Sequence, residues 1–127
     1  MTHGEVAARR QAFGRALIAE MWERIPECPR REPGRTGVLF SAFTDLARFV
    51  ENTWAEYLSD PHEVKLKVLK RTFAFLEGCF RDKLELVEHM EGVYAVICFT
   101  RAIPSERLPE LIQFAGPKTL KWAKIYG

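Results

Sequence analysis

Leu39, Phe43, Leu46, Val50, Trp54 and Tyr57 recur at steps of four or three. That spacing puts all six on one face of a helix running from about Val38 to Leu58, the clearest amphipathic stripe in the chain. A stripe of this kind has to be covered by other elements, so it commits the chain to a packed assembly. At 127 residues the chain is the size of one domain, in which roughly two-thirds of the unfolded surface is buried on folding. A single helical domain over residues 1–127 is the expectation.

The same period holds on either side of that helix. Val6, Phe13, Leu17 and Met21 form a stripe that Ile18 and Trp22 widen, and the helix carrying them should stop before Pro26. Residues 26–37, PECPRREPGRTG, hold three prolines and two glycines and read as an irregular loop. After the Val38–Leu58 helix, Asp60 is expected as an N-cap, Pro61 as the first helical residue and Glu63 as a capping-box acid. The helix they open, Pro61 to about Phe80, centres its apolar side on Leu66, Leu69, Phe73, Leu76 and Phe80, with Val64, Val68 and Phe75 on the flank. Its polar wedge is narrow, which predicts cover on two sides and a central place in the fold.

A fourth helix is expected from near Lys83, with Leu86, Val87, Met90, Val93, Tyr94 and Ile97 inward and Glu85, Glu88 and Glu91 outward. The run YAVICF within it has no polar face and also suits a strand, but nothing elsewhere in the chain offers a partner strand. Ser105 is expected to cap a short helix containing Leu108, Leu111, Ile112 and Phe114. Gly116 should end it and Pro117 begin a docking helix, residues 117–126, that turns Trp122, Ile125 and Tyr126 toward the core. The fold class is therefore all-α, about five or six antiparallel helices with no sheet.

Composition narrows the chemistry. Nineteen Lys and Arg against seventeen Asp and Glu give a formal net charge of +2, too small to imply a polyanionic partner. No apolar run reaches the roughly 18 residues that cross a bilayer, and the N-terminal stretch lacks the continuous apolar segment of a signal peptide. Three widely spaced cysteines, Cys28, Cys79 and Cys98, fit reduced thiols in a cytoplasm. His3, His62 and His89 are scattered, so neither a metal nor another cofactor is expected. No nucleophile elbow or phosphate-binding glycine motif is present. Cys28 is the one thiol expected to be exposed, and Arg30 and Arg31 close in sequence are the positive charge that could activate it, although a reactive role there is the minor reading.

Two surfaces remain as candidates. Glu85, Glu88 and Glu91 share a helix face and would make an acidic strip for a protein partner. Lys67, Lys70 and Arg71 on the third helix, with Lys118, Lys121 and Lys124 on the last, would make the basic surface of a small nucleic-acid-binding or regulatory protein.

Phe75-Leu76-Glu77, and Gly116-Pro117-Lys118-Thr119 after a buried helix ending at Phe99, together resemble a family of small bacterial helical domains with an FLE central helix and a GPK[ST] corner. The similarity covers about residues 43–124 and departs at Thr100-Arg101, where the pattern has Leu-Glu. The resemblance implies a short HEAT-like helical stack without enzymatic activity. It further suggests a cytoplasmic immunity protein that neutralises a cognate toxin by direct binding.

Overall fold

The structure is a computed structural model and describes residues 2–30, 38–80 and 86–126. These residues form helices α1 (His3–Arg24), α2 (Val38–Ser59), α3 (Glu63–Gly78), α4 (Leu86–Ala102), α5 (Leu108–Leu111) and α6 (Pro117–Tyr126), with a 3-10 turn Ile112–Phe114 after α5. The chain is all-α, and no strand occurs among the described residues.

Thr2 caps α1, its hydroxyl accepting the Glu5 N–H at 3.1 Å, as a short polar side chain does when the first-turn donors have no helical acceptor. The helix ends at Arg24, two residues before Pro26, and Ile25 is fully buried behind it. On α2 the expected stripe is the observed one: Leu39, Phe43, Leu46, Val50 and Trp54 are buried and Tyr57 half-buried.

The start of α3 differs from expectation. The Asp60 N–H still donates to Glu56 O at 2.9 Å, closing α2. The chain then needs His62 in an extended conformation before it can turn again, so His62 is the cap residue and Glu63 the first of the helix. The carboxylate of Asp60 lies 3.3 Å from the His62 ring instead of capping. Similarly, the carbonyl of Pro104 accepts the Arg107 and Leu108 N–H groups and opens α5, while the Ser105 hydroxyl points to Glu106.

The most extensive contact between helices is α2 on α4, and α2 also meets α1 and α3. Since α4 packs in turn on α1 and α6, the centre of the bundle is the α2–α4 pair, where the breadth of the apolar side of α3 had suggested α3. The Cys79 carbonyl, just past α3, occupies the space that a side chain at Gly92 of α4 would need. Phe73 stands edge-on to Phe99 with ring centroids 5.7 Å apart and lies 6.0 Å from Phe114, so one ring joins α3, α4 and the 3-10 turn. Cys28, Cys79 and Cys98 are buried and form no disulfide.

Candidate functional site

The two short motifs of the sequence meet in space. Gly116 is the residue before α6, and its carbonyl accepts the first helical bond, from Leu120 N–H at 2.9 Å. It has no side chain to cap with. The Glu77 carboxylate of α3 reaches across instead, accepting Lys118 N–H at 3.0 Å, Thr119 N–H at 2.9 Å and the Thr119 hydroxyl at 2.9 Å. A negative group against exposed N–H donors at a helix start is favourable both as a hydrogen bond and against the helix dipole. A Cβ at Gly116 would stand 2.5 to 2.7 Å from that carboxylate, which explains the glycine. Pro117 has no N–H to lose and suits the first helical position. The Lys118 ammonium turns back to Phe80 O at 3.0 Å. The corner is a structural clasp.

Its lysine is therefore committed to the chain itself, and so is Arg71, which grips Glu27 through both terminal nitrogens at 2.8 and 3.0 Å and donates to Arg24 O. That bidentate pairing holds the Glu27 carboxyl below its usual range. Of the six residues in the basic surface, Lys67, Lys70, Lys121 and Lys124 stay exposed.

Glu88 and Glu91 of the expected acidic strip are turned to α1 and do not form a solvent face. Glu91 is 6% exposed and meets Arg10 of α1 at 2.6 Å. Glu88 accepts from Arg9 through Oε1 at 3.1 and 2.5 Å, and that hydrogen bond holds its carboxyl below the ordinary value. Glu85 lies outside the described residues. The physical reason is that α1 brings two guanidiniums to the side of α4 where the carboxylates stand, and paired charges can be buried where single ones cannot.

The helix is consequently rotated from its expected phase. Ala95, Val96, Cys98 and Phe99 face the core, while Leu86, Met90 and Tyr94 are 71%, 61% and 42% exposed. These three stand at steps of four, forming one outward ridge on the helix whose other side is the most deeply packed. Arg101, seven residues beyond Tyr94 on that side, is exposed, as is His89. Arg10 keeps 56% of its side chain in solvent while holding Glu91. The pKa of the Tyr94 hydroxyl is raised chiefly by its hydrogen bond with Cys98 and by burial, with Glu91 and, more weakly, Arg10 acting on it in opposite directions.

Cys28 is likewise the reverse of its expectation. It is 3% exposed, and burial, with Asp45 nearby, pushes its thiol up to about 11. Arg30 sits over the Trp22 ring at 4.3 Å, and Arg31 is outside the described residues. Among the described residues no group of His, Cys, Asp and Glu is placed to hold a metal ion, and no helix is long and apolar enough to cross a membrane.

Comparison with protein-family models, with curated proteins and with solved structures finds no match to this chain. The ridge on α4 is the feature sequence reasoning missed. Its signal was present in the four-residue spacing of Leu86, Met90 and Tyr94, but that spacing marks an apolar face without saying whether the face is covered.

Proposed function

We propose that this protein is a non-enzymatic protein-binding module that docks through the outward face of α4. In its most concrete form it is a bacterial immunity protein that neutralises a cognate toxin in the cytoplasm by direct binding. The observation behind it is the exposed ridge Leu86, Met90 and Tyr94. Large apolar side chains standing together in water mark surfaces that another molecule covers. The resemblance to small bacterial helical stacks supports the narrower immunity role.

The test is co-purification from the native bacterium of the tagged chain and of a Met90→Glu variant, at low and at high salt. A single stoichiometric protein that stops growth when expressed alone, retained by the native chain and lost by the variant, is the expected result. Nucleic acid as the only co-purifying species, released by salt as counterion release requires, overturns the reading in favour of Lys67, Lys70, Lys121 and Lys124.

A further inference from the structure

Resting on that docking reading, we propose that the α4 face takes an amphipathic helix whose apolar side chains are flanked by carboxylates. Leu86, Met90 and Tyr94 make a straight ridge on the four-residue row of a helix, about 12 Å long at 1.5 Å per residue. Ridges on that row seat in the grooves of another helix. An apolar helix side read at i, i+4 and i+8 is a common form of such recognition.

Charge selects the partner. The two described carboxylates on this part of α4, Glu88 and Glu91, turn to α1 and are matched there by Arg9 and Arg10. With those two pairs formed, the exposed charge left on α4 itself is cationic. Arg101 is exposed with no ion-pair partner among the described residues, Arg10 keeps its outer half in water, and His89 is exposed. The segment leading into α4, residues 81–85, carries Arg81 and Lys83 against Asp82 and Glu85 and so adds no net charge.

A ridge flanked by guanidiniums is complementary to a groove flanked by carboxylates and repels one flanked by cations. A second copy of this chain would bring the same cations against themselves, which disfavours self-association through the face. The basic surface of a cationic nuclease is disfavoured for the same reason.

Two synthetic helical peptides test this, identical in their Leu-rich apolar positions and carrying either Glu or Lys at every flanking position. Each is titrated to millimolar concentration into the full chain at low salt, and the backbone amide signals of the protein are followed by NMR. The Glu peptide is expected to shift the signals of α4 and to bind at least about tenfold more tightly than its Lys twin, a difference that shrinks as salt is raised. Arg101→Glu should narrow that gap, and Met90→Glu should remove binding of both peptides with the protein still folded.

Equal binding of the twins overturns the proposal, as does absence of binding by both, or shifts confined to other helices. So does concentration-dependent dimerisation in sedimentation that Met90→Glu abolishes. Equal binding together with capture of a partner that Met90→Glu loses would remove the charge assignment and leave the docking role. A Glu preference without any growth-arresting partner would do the reverse.

Discussion

The α3–α6 corner and the outward face of α4 handle their exposed groups in opposite ways. At the corner every donor has an acceptor from the chain itself: Glu77 takes the first N–H groups of α6, and Lys118 closes back on Phe80. On α4 the carboxylates are matched internally by Arg9 and Arg10, yet three large apolar side chains face water. A polar group left alone in a protein is costly, so the corner had to be completed from within. An apolar group in water is tolerated more readily, and completion from outside remains open to it. The motif residues and the exposed apolar ridge therefore fall in different places, and the short motifs that catch the eye in the sequence belong to the scaffold.

Substitutions can break this contrast from either side. The largest effect is expected beneath the corner, where Phe73 joins Phe99 and Phe114. Phe73→Ala should cost about 3–5 kcal/mol, read as a drop in melting temperature, and an unchanged melting temperature would refute the placement of α3.

Next is the clasp. Gly116→Ala puts a methyl against the Glu77 carboxylate and should cost about 1–3 kcal/mol through strain and a lost cap. In a Glu77→Ala background the same change should cost clearly less, because the two act on one contact. Additive losses in that double-mutant cycle would separate glycine and carboxylate.

Acid should loosen the α1–α4 pairing. The Glu88 carboxyl is held down by Arg9, so the folded state releases its proton more readily than the unfolded chain does. Its contribution is complete above the ordinary carboxylate pKa of about 4.3 and is lost as pH falls through the lower folded value. Urea melts at pH 6 and pH 3 should show a smaller acid loss for Glu88→Gln than for the native chain.

The Cys28 thiol works in the other direction. With its value raised to about 11, its burial supports the fold below the ordinary thiol pKa of about 8.5 and does so progressively less as pH climbs toward the raised value. At neutral pH it should resist a thiol reagent until the protein unfolds. Rapid labelling of Cys28 in the folded protein would contradict its burial.

The smallest stability effect belongs to the α4 face. Met90→Glu should change stability by no more than about 0.5 kcal/mol, making it the variant in which lost binding cannot be blamed on lost folding. A large destabilisation would mean that the ridge packs against this chain after all.

What the sequence reveals depends on how much of each answer is local. The α2 stripe is legible because one apolar face alternates with a polar one, and all-α follows from repeating that pattern. On α4 apolar residues occur all round, so Leu86, Met90 and Tyr94 competed with Ala95, Val96 and Phe99 for the core. The decision came from α1, whose Arg9 and Arg10 stand 79 and 81 residues from their glutamates. No local pattern carries such information. The link from Glu77 to Gly116-Pro117-Lys118-Thr119 was half legible: both motifs were visible, but not that one caps the other.

One result of that cap concerns solvent exchange. The first N–H groups of a helix ordinarily trade their hydrogens with water freely, but those of Lys118 and Thr119 are held by a carboxylate from another helix. Their deuterium uptake is then set by how often α6 lifts away from Glu77. These two amides form a gauge, built into the backbone, for opening of the last helix.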